Sequence, residues 1–134
     1  MSIERSFIVS KRSQAVTDAE LAVLKVLWQC GPRTARGLTE AIYPGGAESE
    51  FASVHSFLQR LERKGLVTRD RRAAPHIFSA AVSQADVVGS ELTALADRLG
   101  EGSIAPLIMH LVAQKRLTKK EAAEIRRILD QYAK

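Results

Sequence analysis

The sequence predicts a mainly α chain of 134 residues, with three helices and a β-hairpin followed by three more helices. Two observations carry that prediction. Apolar residues recur at helical spacing in separate stretches, each bounded by a capping residue or a Gly/Pro break. Only seven residues are aromatic, so the core must be built mainly from Leu, Val, Ile and Ala, which favours helices.

Residues 1–16 show no sustained period and read as a mobile leader. Thr17-Asp18-Ala19-Glu20 then forms a capping box, because the Thr hydroxyl can accept a first-turn N–H while Glu20 reaches back to the cap. Leu21, Leu24, Leu27 and Trp28 follow at helical spacing, and Gly31-Pro32 ends this helix. A second short helix is expected over about residues 34–42, burying Leu38, Ala41 and Ile42, and closed by Pro44-Gly45-Gly46. The third spans roughly residues 50–64, with Val54, Phe57, Leu58 and Leu61 at i, i+3, i+4, i+7. Gly65 is its stop, and Arg63 and Lys64 suit the negative end of the helix dipole. Residues 66–69 and 76–79 read as paired strands around a loop at 70–75. Ser83 opens a fourth helix with a heptad-like seam of Val88, Leu92, Leu95 and Leu99, broken by Gly100 and Gly102. Ile104, Leu107, Ile108, Leu111 and Val112 mark a fifth, in which Pro106 is tolerable only in the first turn. A second capping box, Thr118-Lys119-Lys120-Glu121, opens the last, with the stripe Ala122, Ile125, Leu129 and Tyr132.

The formal net charge is +5 and the isoelectric point about 9.7. Its placement says more than its size. Residues 1–82 carry twelve Lys/Arg and eight Asp/Glu, or +4, whereas residues 83–134 carry eight and seven, or +1. No apolar run approaches the roughly 20 residues that span a bilayer, and the N-terminus is not a secretory signal, so a cytoplasmic location without membrane attachment is expected. Cys30, the single cysteine, excludes an intramolecular disulfide and a cysteine-rich zinc site. At the end of an apolar helix it is expected to be buried and inert, with a redox-sensing thiol as the alternative. His55, His76 and His110 are scattered without metal-ligand spacing, and Gly45-Gly46 is not followed by a phosphate-loop lysine. No constellation for catalysis, metal or cofactor emerges, and an enzyme is not expected.

The informative segment is residues 53–80, where six Lys/Arg face two acids. Opposite the apolar stripe of the third helix lie Ser53, Ser56, Gln59, Arg60 and Arg63, with His55 and Ala52 at the border. Small hydroxyls let a helix approach a groove floor; Ser and Gln can bond base edges or phosphates, and Arg60 can reach guanine or phosphate bidentately. Arg69, Arg71 and Arg72 can neutralise phosphates beside the groove. A helix that fits a groove followed by a basic flap is the pattern of a winged helix-turn-helix reading duplex DNA. The domain organisation is then a leader at 1–16, a winged-helix DNA-binding domain at 17–82 and a helical dimerisation domain at 83–134. The last three helices are each too short to be stable alone. They either fold back on the first domain or pair with a second copy, and the Leu92, Leu95, Leu99 seam with the apolar fifth helix favours the second. A rival reading is a winged-helix protein–protein interaction module that does not bind DNA.

These pieces resemble the penicillinase-repressor (BlaI/MecI) family of winged-helix transcriptional repressors. The residues that carry the resemblance are Thr17-Asp18-Ala19-Glu20 with Val23, Val26, Leu27 and Trp28. Next come Ser53-Val54-His55-Ser56-Phe57-Leu58-Gln59-Arg60-Leu61 and Lys64-Gly65-Leu66-Val67, and distally Leu107 to Val112, Leu117-Thr118 and residues 121–129. The resemblance implies a homodimer on a palindromic DNA operator, of the kind that regulates β-lactam-resistance-type genes. It also implies recognition contacts by Ser53, Ser56 and Arg60, a wing at Arg71 and Arg72, and a dimer interface drawn from Leu92, Leu95, Leu99, Leu107, Ile108, Leu111, Val112, Ile125 and Leu129. A regulatory protease would act near His110-Leu111, where the antibiotic-resistance members carry a cleaved Asn-Phe pair. Ala52 stands where members often have a basic residue, and the C-terminal Cys-x-Cys pairs of the copper-responsive relatives are missing.

Overall fold

The computed structural model describes residues 16–99 and 103–132; residues 1–15 of the expected leader and the Gly100/Gly102 break lie outside the described residues. The chain divides into two compact units, with the division after Ala94.

In the first unit, helix α1 runs Asp18–Cys30. Its capping box forms as expected: Thr17 Oγ1 accepts from Glu20 N at 3.1 Å, and Thr17 N donates to Glu20 Oε1 at 3.2 Å. Gly31 ends it at φ +86°, a conformation that a Cβ would strain. Strand β1, Arg33–Thr34, was not anticipated from the sequence. Thr34 then caps helix α2, Ala35–Ile42, its Oγ1 accepting from Gly37 N at 3.0 Å. Helix α3, Glu48–Arg63, starts with Glu50 Oε1 accepting from Ala47 N at 2.9 Å. It stops in a Schellman turn, where Leu66 N donates to Leu61 O and Gly65 N to Glu62 O, with Gly65 at φ +80°.

Strands β2, Val67–Asp70, and β3, Ile77–Ala80, form the hairpin, paired antiparallel with Arg69 opposite Phe78. The sheet order is β1-β3-β2, and Arg33 and Thr34 face Phe78 and Ile77 across β3. Two residues after Pro32, the second of them the cap of α2, carry no strand period, so only tertiary pairing reveals β1.

Helix α4 covers Gln84–Leu99, and Ser83 Oγ accepts from Asp86 N at 3.0 Å at its start. The core of the first unit joins Val23, Leu24 and Leu27 of α1, Leu38 of α2, Val54, Leu58 and Leu61 of α3, and Leu66, Val67 and Phe78 around the hairpin. Val82 and Val87 extend it past the hairpin, and Trp28 Nε1 donates to Val82 O at 2.9 Å. Two expectations fail. Ala41 is exposed, because Leu38 and Ile42 already turn the inner face of α2 toward the core. Cys30 is exposed too: it is the last residue of α1, three positions beyond Leu27, the last buried residue of the helix.

The second unit contains helix α5, Ala105–Ala113, with Pro106 in its first turn, and helix α6, Lys119–Tyr132. The second expected capping box is present, with Thr118 Oγ1 accepting from Glu121 N and Glu121 Oε1 from Thr118 N, both at 3.0 Å. No residue of α5 or α6 is buried. Leu99, Ile108, Met109, Leu111, Val112, Ile128, Leu129 and Tyr132 are all exposed.

Candidate nucleic-acid interface

At 100° per residue, α3 presents four sectors. Val54, Leu58 and Leu61 point into the core with no exposed surface. Away from them, Ser49, Ala52, Ser53, Gln59 and Arg63 form an exposed stripe with half-buried Ser56 among them. The side chains are small over the first turns and long near the end. Ser53 Oγ donates to the Ser49 carbonyl at 3.1 Å, which leaves its oxygen lone pairs outward.

The flank toward α1 is held by charge. Glu20, fully buried, accepts from Arg60 Nε at 2.9 Å and from Lys64 Nζ at 2.7 Å. Burial pushes the Glu20 carboxyl upward, but the hydrogen bonds from Lys64, Arg60 and the Thr17 N–H, with the Lys64 charge, outweigh it and hold the group below the usual carboxylate range. Arg60 Nη1 also donates to Ser56 Oγ at 3.2 Å. Arg60, expected as a recognition contact, is thus paired with Glu20 of α1 and with Ser56 on its own helix. Its guanidinium is turned back to α1, because leaving Glu20 buried and unpaired would cost more than exposing the arginine returns.

The flank toward the hairpin is held by Glu62. Its two oxygens accept from Arg69 Nη2 at 2.8 Å and Arg71 Nη2 at 3.0 Å. Arg69 is only 13% exposed and lies over the Phe78 ring, 4.9 Å from its centroid. It ties the hairpin to α3 through Glu62 and Phe78. Arg71 and Arg72 do project; Arg72 is 94% exposed and pairs with Asp70 at 3.3 Å. Between the end of α3 and the hairpin lies a groove of about 480 Å³ lined by Gln59, Glu62, Arg63, Arg69 and Arg71. His55 is half-buried on the hairpin side and meets Phe51 edge to face, with centroids 5.9 Å apart.

The structure thus brings Ser53, Gln59, Arg63, Arg71 and Arg72 to one surface, with Ser56 partly covered. Arg60 and Arg69 are paired with Glu20 and Glu62 on either side of that surface. Sequence reasoning missed Glu20, Lys64 and Glu62 as the residues that fix this surface. A signal existed in part: Arg60 and Lys64, at i and i+4, share one helix face and call for an acid opposite them. Among the described residues no cluster of His, Cys, Asp or Glu could hold a metal ion, and no helix is long and apolar enough to cross a membrane.

Three helices with the third exposed beside a basic two-stranded hairpin make up the winged helix-turn-helix architecture of transcriptional regulators. The chain belongs to the penicillinase repressor family, whose model matches residues 16–131. It is 20% identical over 124 residues to the penicillinase repressor of Bacillus licheniformis, covering 91% of this chain and 94% of that protein. Among solved structures, transcriptional regulator Tm0710 from Thermotoga maritima shares the fold, with a TM-score of 0.50, 21% identity and coverage of 94% of this chain and 79% of that one. The protein is a transcriptional regulator, and its family is one of repressors rather than enzymes.

Proposed function

We propose that this protein is a repressor that binds a palindromic DNA operator as a homodimer, with the 17–82 segment reading DNA and the 83–134 segment supplying the dimer contacts. The observation that carries the DNA reading is the exposed stripe of α3 set beside Arg71 and Arg72. Ser53, Ser56 and Gln59 meet base edges, Arg63 sits at the border of base and backbone, and Arg71 and Arg72 grip phosphates. Arg60 contributes mainly by holding α3 in place.

The dimer reading is supported by apolar side chains that a lone chain leaves in water. On α4, Val88, Leu92 and Leu99 are exposed and Leu95 half-buried. On α5 and α6, Ile108, Leu111, Val112 and Leu129 are exposed, and Leu107 and Ile125 half-buried. A second copy of the same surface removes that area from water at about 25 cal/mol per Å². A symmetric pair then places two α3 helices about one DNA turn, ~34 Å, apart. Release follows from severing or unpacking α5, in which His110 and Leu111 are exposed. A protease acting there must first unwind that short helix.

The test is fluorescence-anisotropy titration of random duplex DNA across a salt series, followed by sequencing of the duplexes retained from a randomised pool. A steep salt dependence and an inverted-repeat consensus are expected. A flat dependence would leave an interaction module without DNA as the function.

A further inference from the structure

The hairpin side of α3 also walls a second cavity, of about 580 Å³, whose lining includes Arg36, Phe51, His55, Arg69, His76 and Phe78. It lies wholly within the first unit, between the start of α2, the first half of α3 and the hairpin. That volume falls in the range of small-molecule sites. None of its lining residues is acidic.

Two arginines in this lining are each set over an aromatic ring. Arg36 Cζ lies 3.9 Å from the Phe51 centroid, and Arg69 Cζ lies 4.9 Å from that of Phe78. A guanidinium held over a ring keeps its N–H groups as the donor surface, and a planar fork of such donors matches a carboxylate. Neither arginine is fully matched inside the protein. Arg36 pairs with Glu48 at 3.3 Å, but those side chains are 62% and 82% exposed, so water screens the pair. Arg69 reaches Glu62 through Nη2, while its Nε is buried with no hydrogen-bond partner among the described residues. A buried donor of this kind carries a desolvation cost that an incoming acceptor would remove. The aromatic residues and Pro75 supply apolar wall that an isolated phosphate has no use for.

We propose that this cavity binds a small aromatic carboxylate, its ring against the Phe51 and Phe78 side of the lining and its carboxylate on the Arg36 and Arg69 guanidiniums. This site is separate from the DNA contacts proposed for the exposed stripe, and its test needs no DNA.

The full-length protein is titrated with benzoate and followed by calorimetry and ¹H–¹⁵N spectra, in parallel with benzamide and inorganic phosphate. Saturable benzoate binding is expected with Kd on the order of 1 mM for so small a probe. Benzamide and phosphate should each bind at least about tenfold more weakly, because each lacks one half of the match. Arg36→Gln should weaken benzoate about tenfold, and Arg36→Lys, which keeps the charge without the fork, should fall between. Lys120→Gln, in the second unit, should leave the affinity unchanged. Arg36 is exposed, and an unchanged ligand-free spectrum confirms that its variants fold. Phosphate binding as tightly as benzoate, wild-type benzoate affinity in Arg36→Gln, or no saturable benzoate binding would overturn the proposal.

Discussion

Position 20 carries a carboxylate that completes the cap of α1 and also pairs with two cations of α3. Because its folded pKa lies below the ordinary value of 4.5, the unfolded chain binds the proton more readily than the folded one. Its contribution is therefore fully present above about pH 4.5 and is lost as pH falls through the lower folded value. Denaturant titrations of wild type and Glu20→Gln should differ by about 2 kcal/mol at neutral pH. That is less than a fully buried pair would give, since Arg60 and Lys64 keep some solvent contact. The difference should shrink as the buffer is acidified. Arg60→Ala should likewise lower the unfolding free energy by about 2 kcal/mol, and weaken DNA binding through misplacement of α3. Gln59→Ala should weaken specific binding by about 1–3 kcal/mol with melting temperature unchanged, since Gln59 is exposed. At this scale the sequence was legible only halfway. Hydrophobic period showed that Arg60 lies off the apolar stripe, but the choice between solvent, DNA and a buried acid 40 residues away depends on tertiary packing.

At the scale of elements, the hairpin does two jobs with different arginines. Arg69 joins it to α3 through Glu62 and Phe78, and the turn residues Arg71 and Arg72 face outward. Replacing Arg71 and Arg72 together by Ala should weaken binding to all duplexes alike and flatten the slope of log affinity against log salt by nearly 2, measured by anisotropy from low to moderate salt. Arg69→Ala should instead loosen the hairpin, visible as faster amide exchange in β2 and β3. The helices were legible because caps and glycines mark their ends: Thr17, Thr34, Gly31 and Gly65 all act as such signals imply. The hairpin strands begin one residue later than the sequence suggests, at Val67 and Ile77, because the Schellman turn takes up Leu66 and pairing starts only beyond it. Strand β1 was invisible, since two residues cannot show a period.

At the scale of the whole molecule, the two units differ in how they satisfy their apolar residues. The first has a closed core, whereas α5 and α6 of the second contain no buried residue. Leu111→Glu places a charge among the exposed apolar residues of α5. It should shift sedimentation from dimer to monomer and reduce operator affinity by about 10²-fold or more, as each half-site loses its tethered partner. Secondary structure and fold of the first unit should be unaffected in circular dichroism. The charge bias was legible at this scale, since the excess sits in residues 1–82. Short helices with apolar stripes were legible too, but sequence alone left open whether they close on the first domain or pair with a second copy.

The arrangement of α3 also bears on how such a regulator changes its target. One sector, Ser49, Ala52, Ser53, Gln59 and Arg63, touches little inside the protein, while Arg60, Lys64 and Glu62 on either side are tied to α1 and the hairpin. Substitutions along the free sector can accumulate with little cost in stability, whereas any on the tied flanks must be matched at Glu20 or Arg69. The helix is thus divided into a part open to diversification and a part that keeps the frame constant. A chimaera that transplants only the free sector from another repressor should keep the stability of this protein and acquire the other's operator preference.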